Sequence, residues 1–126
     1  MILCIPPARS IFEIGLLQDI QWILEDLAKL PVQYWHNTAH TYVQDKMGLA
    51  KTDAWLSTYG PKTVGVYWED FSENRLLCPS GTGEISFAKI AKDLPAKTIC
   101  VMRTGDYFSN DEIMAGCQFL KELQIS

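Results

Sequence analysis

At 126 residues, with 48% hydrophobic and 21% charged side chains, the chain is long enough to bury a core and too apolar to be disordered. Its net charge of -4 and its lack of a Lys/Arg cluster argue against direct binding of nucleic acid, which depends on such clusters. No apolar run approaches the ~20 residues of a membrane span, and the first residues lack the pattern of a secretory signal. We therefore predict a single domain over residues 1–126, located in the cytoplasm, without a membrane partner.

The cysteines and histidines do not form a metal-binding pattern. The chain has four cysteines, none of them in a CxxC pair: Cys4, Cys78, Cys100 and Cys117. We expect buried, reduced thiols, as is usual in the cytoplasm. His36 and His40 have the spacing of a helical pair, but His36 falls in a predicted strand, so a shared helical face is missing. We predict no metal, no cofactor and structural roles for both histidines.

The first half of the chain predicts two helices separated by a strand. Residues 16–30 repeat apolar side chains every three or four positions, which is typical of an amphipathic helix, and Pro31 ends it. Residues 32–38 are rich in aromatic and β-branched side chains and predict a strand. A second helix is predicted over 41–57, although Gly48 in its middle costs about 1 kcal/mol relative to alanine.

The clearest strand covers residues 62–70. Side chains alternate along a strand, so this segment has two distinct faces. One face carries Val64, Val66 and Trp68, and the other carries Thr63, Gly65, Tyr67 and Glu69. The turn residues FSEN and a return strand over 75–80 predict an antiparallel hairpin.

The last third predicts a strand over 97–104 and then a helix. Ser109 and Glu112 have the spacing of a capping box, in which each side chain accepts a hydrogen bond from the backbone of the other residue. After the first helix, the predicted order of elements is strand, helix, strand, strand, strand and helix. Segment 30–42 is echoed by 94–107, since both begin Leu-Pro and lead through a strand to a helix. The echo indicates either internal duplication or a chance match of short apolar segments.

Two stretches resemble a known family. They are AWLSTYGPKTVGVYWEDFSEN (54–74) and DLPAKTICVMRTGDYFSNDEI (93–113). Both are similar to motifs of the GyrI-like (gyrase-inhibitor-like) small-molecule-binding domains, which also serve as effector domains of multidrug-responsive transcription regulators. The resemblance implies an α+β fold with two strand-helix-strand-strand repeats related by a pseudo-twofold axis. Its antiparallel sheet would carry helices on one face and a ligand on the other.

The chain departs from the family at its end, where the family continues into a hairpin that carries a pocket glutamate. The second repeat is therefore expected to be incomplete at the C-terminus. Segment ARSIFEIGL (8–16) is similar to the family's glutamate-bearing strand. One hypothesis is that this segment fills the vacant sheet edge and supplies Glu13 to the pocket. Otherwise the edge is exposed, and a homodimer would cover it.

The resemblance and the strand pattern together give a set of candidate site residues. The candidate ligand-binding residues are Glu13, Tyr34, Trp35, Tyr67, Trp68, Glu69, Cys100, Met102 and Tyr107. For the rings, the thiol and Met102, core packing is the alternative, and strand alternation favours Tyr67 over Trp68 as a pocket residue. Glu69 is either a solvated hairpin carboxylate or, beside ring faces, a partner for a cationic ligand. No catalytic residue is predicted.

We expect the chain to bind a small amphipathic organic molecule, which can carry a positive charge, in an aromatic cleft, and thereby to sequester or sense it. One alternative, implied by the same family, is a small-molecule hydrolase that uses Glu13 or Glu69 as general base with Tyr67 assisting. Another is an inhibitor that acts through its surface on a partner such as a topoisomerase. Nothing in the sequence places a nucleophile, a base and an orienting group at a recognisable spacing, so binding without catalysis is preferred.

Overall fold

Four parallel strands form the main sheet, and they have the same order along the chain and across the sheet. The computed structural model describes residues 1–10 and 13–125. The strands of the main sheet are β1 (Leu3–Ile5), β2 (Val32–Asn37), β3 (Thr63–Trp68) and β6 (Ile99–Met102). Two further strands, β4 (Asp70–Ser72) and β5 (Leu76–Cys78), form a separate antiparallel hairpin directly after β3.

Every connection within the main sheet contains at least one helix. The helices are α1 (Leu17–Asp26), α2 (Thr38–Lys46), α3 (Thr52–Tyr59), α4 (Phe87–Asp93) and α5 (Asn110–Glu122). Crossovers between parallel strands are almost always right-handed, so a sheet whose strands follow chain order has its crossover helices on one face. None of the helices in the described part of the chain has the length and hydropathy of a membrane span.

The core lies between these helices and one face of the sheet. The sheet contributes Tyr34, Val66 and Trp68, each at most 1% exposed. Tyr34 stacks on Trp55 of α3, with ring centroids 6.1 Å apart, and Trp68 contacts Phe87 of α4 at 4.9 Å. All five helices add side chains to this one cluster, α5 through Leu120 and its neighbours. All five helices therefore share one core with this face of the sheet.

The opposite face of the sheet carries the alternate residues. Trp35 and Tyr67 contact each other there, with ring centroids 5.0 Å apart. Trp35 lies directly on Gly65, where a Cβ atom would come within 2.3 Å of its ring. Ile99 and Val101 are 57% and 36% exposed on this face. We call this surface the open face.

The predicted antiparallel main sheet is wrong, and so are the strand-helix-strand-strand repeats that depend on it. The segment 62–70 does not continue into the hairpin, because β3 ends at Trp68 and a new strand, β4, pairs with β5. The helix α4 was not predicted. Its presence makes the connection from β3 to β6 a crossover, which brings β6 back parallel to β3. The coarser expectation of a mixed helix-and-strand domain is confirmed.

Smaller predictions met varied outcomes. The helix predicted over 41–57 is two helices, separated at Gly48, whose φ of +74° lies in the left-handed region that glycine adopts freely. The first helix ends at Asp26, before Pro31. The capping box at the start of α5 is confirmed: Ser109 Oγ accepts from the Glu112 backbone at 3.2 Å, and Glu112 Oε2 accepts from the Ser109 backbone at 2.8 Å.

The N-terminal segment does fill a sheet edge, but not with the residues that were predicted. The edge strand is β1, parallel to β2, and not the segment 8–16. Residues 11 and 12 of that segment lie outside the described residues. Glu13 belongs to no strand; its side chain is 40% exposed and pairs with Arg9, Oε1 to Nη2, at 3.2 Å.

Candidate ligand site at the carboxyl edge of the sheet

A buried carboxylate lies at the end of β3. Glu69, only 3% exposed, follows the last residue of that strand. Its Oε2 accepts a hydrogen bond from Nδ2 of Asn37, the last residue of β2, at 2.5 Å. Its backbone N–H donates to Oγ1 of Thr38 at 2.9 Å, and the same hydroxyl donates to its carbonyl at 2.5 Å. The carboxyl ends of parallel strands are where open α/β sheets bind their ligands.

Arg103 completes the charge pair from the neighbouring strand. It follows Met102, which is paired with Trp68, so Arg103 and Glu69 meet one position beyond the last register pair. Its Nε forms an ion pair with Glu69 Oε1 at 3.1 Å, and its guanidinium lies 5.1 Å from the centre of the Tyr67 ring. The side chain remains 47% exposed, so one half of this ion pair is buried and the other faces outward.

His40 lies beside the pair, in the first turn of α2. Its backbone N–H donates to Oδ1 of Asn37, which caps the helix. Its Nδ1 is 2.9 Å from the carbonyl oxygen of Pro7. Because a carbonyl can only accept, Nδ1 must carry a proton, and the unshared electron pair of the neutral ring is on Nε2. Nε2 is 3.8 Å from Glu69 Oε2.

The charge state of His40 results from opposing effects. Burial lowers its pKa, and the positive charges of Arg103 and Arg9 act in the same direction. The contact with the Pro7 carbonyl and the charge of Glu69 raise the pKa, but they do not compensate. His40 is therefore neutral at neutral pH, with an acceptor at Nε2.

A cavity of about 390 Å³ opens beside this cluster. Its polar residues are Arg9, His40, Glu69 and Arg103, and its apolar residues are Ala39, Val43, Phe71, Leu76 and Leu77. The volume falls in the range of small-molecule sites, which combine an apolar lining with a few polar anchors. We call this space the edge cavity.

The hairpin wall of the edge cavity is held from outside by the start of α5. Arg75, in the hairpin turn, pairs with Glu112 of α5, Nη1 to Oε1, at 2.5 Å, and its guanidinium lies 5.2 Å from the Phe108 ring. Tyr107 donates its hydroxyl to the carbonyl of Leu77 at 2.8 Å. The Arg75 contact and the Ser109 backbone lower the pKa of Glu112 to about 2, so the Arg75–Glu112 pair stays charged over the whole physiological range. We call this ion pair, together with the hydrogen bond from Tyr107 to Leu77, the clamp.

A second buried carboxylate, Asp70, has a structural role. Its Oδ2 accepts from the backbones of Gly81 and Gly83 at 2.9 and 3.0 Å, and its Oδ1 accepts from Ile85 at 3.2 Å and from Phe71 at 2.9 Å. Four backbone donors use its acceptor capacity, so Asp70 fixes the loop before α4. The Gly81-Thr82-Gly83 segment is thus a turn.

The predicted site residues lie in five different places in the fold. Tyr34 and Trp68 are fully buried in the core, and Cys100 and Met102 lie half-buried on the same side of the sheet. Trp35 lies on the open face. Tyr107 belongs to the clamp behind the hairpin and is 59% exposed. Glu13 pairs with Arg9 outside any strand. Of the predicted residues, Glu69 lines the edge cavity, and Tyr67 lies on the open face, where its ring contacts the guanidinium of Arg103.

The sequence reasoning missed Arg103, Arg9 and Asn37, and it assigned His40 to a purely structural role. One signal could have found most of the cluster. Asn37, Glu69 and Arg103 each stand at the end of a predicted strand, at the position that continues the open face. That signal has meaning only if the three strands are parallel, because only then do their carboxyl ends meet at one edge.

A second cavity, of about 430 Å³, lies between α2, α3 and α4. Polar side chains at its rim already pair with one another. Tyr42 donates its hydroxyl to Glu84 at 2.8 Å, and Lys51 pairs with Asp45 at 3.0 Å. The other charged residues of its lining, Asp53, Lys89 and Asp93, are exposed, whereas the edge cavity contains the buried carboxylate of Glu69.

No protein-family model matches the chain, and no curated protein is significantly similar to it. Membership of the GyrI-like family stays a prediction, although the antiparallel sheet that the resemblance implied is not found.

Proposed function

We propose that the chain binds a small amphipathic organic molecule in the edge cavity. The observation that carries this proposal is the arrangement of the cavity walls: charged and polar groups around Glu69 face the same 390 Å³ as apolar side chains from α2 and the hairpin. A molecule with a polar head and an apolar body satisfies both walls. This is the arrangement expected of a small-molecule site.

The cost of burying the cluster supports a role beyond stability. A buried ion pair is weak evidence for stability, because its desolvation often cancels its attraction. Here Glu69 is 3% exposed, whereas Arg103 keeps half of its side chain outside and His40 keeps an acceptor at Nε2 without a hydrogen bond among the described residues. Side chains that are held in place but still have free hydrogen-bond donors or acceptors are suited to ligand recognition.

The proposal is tested by closing the cavity. Val43→Trp puts a large ring into the edge cavity from the face of α2, and Met47→Trp puts the same ring at an exposed position at the end of that helix. A library of amphipathic acids, amines and amides is screened by thermal shift. We expect compounds that raise Tm of the wild type and of Met47→Trp, but not of Val43→Trp, since binding to the folded state alone raises Tm. Equal increases in Tm in all three proteins would show that the ligand binds outside the edge cavity.

Hydrolysis of the bound molecule is a second candidate, favoured by one observation. His40 is neutral, its tautomer is fixed by Pro7, and its Nε2 acceptor lies beside the cavity, which is the arrangement of a general base for water. Glu69 is a poorer base, because its Oε2 already accepts a hydrogen bond from Asn37 and its Oε1 pairs with the Arg103 guanidinium. Mass spectrometry of the ligand after long incubation separates the two candidates: unchanged ligand supports binding alone.

A further inference from the structure

The charge of the ligand can be read from the partners of Glu69. Its Oε1 pairs with Arg103 Nε at 3.1 Å, and its Oε2 accepts from Asn37 at 2.5 Å. A cationic ligand would have to displace Arg103 to reach this carboxylate. Glu69 therefore acts as a holder of Arg103 and does not select a cation.

Arg103 is left with its anion-binding end free. Its Nε contacts Glu69, and one face of its guanidinium lies over the Tyr67 ring. Within residues 1–10 and 13–125, its two terminal nitrogens donate no hydrogen bond. These carry four of its five N–H donors, in a planar fork that matches a carboxylate. Because the Glu69 pair and the ring contact orient the guanidinium in advance, little freedom is lost when an anion binds.

His40 lies among charges of both signs. Arg9 and Arg103 face it with positive charge, Glu69 and Glu13 interact with it through their negative charge, and the Pro7 carbonyl fixes Nδ1. A carboxylate on Arg103 would add a negative charge to this group. The added charge favours the protonated ring, whose new N–H at Nε2 would face the bound anion and Glu69.

Resting on the proposed function, we propose that the ligand is an organic acid: its carboxylate binds the terminal nitrogens of Arg103, its apolar body packs on Val43, Phe71 and Leu77, and His40 takes up a proton at Nε2 when it binds. The proton comes from solvent, and no covalent bond of the ligand changes. The site therefore recognises an anion together with one proton.

Three probes of matched shape test the charge of the ligand: 4-butylbenzoate, 4-butylbenzamide and 4-butylbenzylammonium. Titration calorimetry at pH 7.5 compares their affinities for the wild-type protein. We expect the acid to bind at least ~10-fold more tightly than the amide, as hydrogen bonds to charged groups warrant. Tighter binding of the amide or the ammonium would overturn the inference while the edge cavity remained a ligand site. No binding by any of the three would overturn the proposed function as well.

Proton uptake is tested with the same acid in phosphate and in Tris, buffers whose ionisation heats differ. We expect proton uptake on binding of the acid, none with the amide, and an affinity for the acid that rises as pH falls from 8 to 6. His40→Gln should still bind the acid but without proton uptake, and Arg103→Lys should lose about 10-fold of the preference for the acid. Lys89→Gln, a cation lost away from the edge cavity, is the control. Proton uptake that persists in His40→Gln would assign it to another group and overturn this role.

Discussion

His36 makes the stability of the fold sensitive to acid. Its ring is fully buried, its Nδ1 is 2.8 Å from the Tyr34 hydroxyl, and its Nε2 has no hydrogen-bond partner within the described residues. Burial lowers the pKa of His36 from 6.5 to about 3. The folded state therefore keeps this ring neutral, whereas the unfolded chain protonates it below about pH 6.5.

The sign and size follow from this difference. As pH falls from about 6.5 toward 3, the unfolded state binds a proton at His36 and the folded state does not. The free energy of unfolding therefore decreases over that range. At about 1.4 kcal/mol for each pKa unit, the full loss is about 5 kcal/mol, and about 2 kcal/mol of it has been lost by pH 5. Below about pH 3 His36 causes no further loss.

Urea unfolding at pH 7.5 and pH 5.0 measures this loss. In His36→Leu, which cannot take up the proton, we expect the difference in unfolding free energy between the two pH values to shrink by about 2 kcal/mol. The absolute stability of the variant is not the readout, because Tyr34 loses its partner at both pH values. Burial also lowers the pKa of His40, so His40→Gln serves as the comparison and should remove a smaller part of the pH dependence. A loss in His36→Leu as large as in the wild type would refute the reasoning.

Three further substitutions test other parts of the fold. Asp70→Asn turns an acceptor toward Gly81 and Gly83 into a donor and should cost at least about 2 kcal/mol in urea unfolding, whereas exposed Asp111→Asn should change little. Gly65→Ala places a Cβ atom 2.3 Å from the Trp35 ring, so we expect a loss of about 1–3 kcal/mol and altered tryptophan fluorescence; an unchanged spectrum would contradict the described contact. Arg75→Gln releases the hairpin from α5 and should speed proteolytic cleavage in the hairpin while core amide exchange stays slow; unchanged cleavage would show that the ion pair does not hold the hairpin.

The sequence predicted local structure better than topology. The alternation that buries Val66 and Trp68 and turns Tyr67 to the other face could be read from a period of two, and the Ser109–Glu112 box from its spacing. Strand direction could not be read in this way. The direction of β6 depends on α4. This helix has only seven residues and no side-chain cap, so neither a long apolar period nor a capping residue indicated a helix in the sequence.

The sequence could identify only those site residues whose positions do not depend on the order and direction of the strands. Tyr67 and Glu69 lie on the strand that was identified most clearly. His40 and Arg103 are separated by 63 positions in the chain, and they meet only because β2, β3 and β6 lie side by side and parallel. No local pattern contains that information, since the contact is made by the order of crossovers and not by sequence spacing.

The clamp behind the hairpin has a consequence for protein synthesis. A ribosome delivers the chain from the N-terminus, so Glu69 and both hairpin strands emerge well before Arg103 and the first turn of α5. During that interval a buried carboxylate lacks its cation, and the wall formed by Leu77 is not yet tied to Tyr107. In a nascent polypeptide the proposed site therefore stays incomplete until Arg103 and the first turn of α5 have left the ribosome.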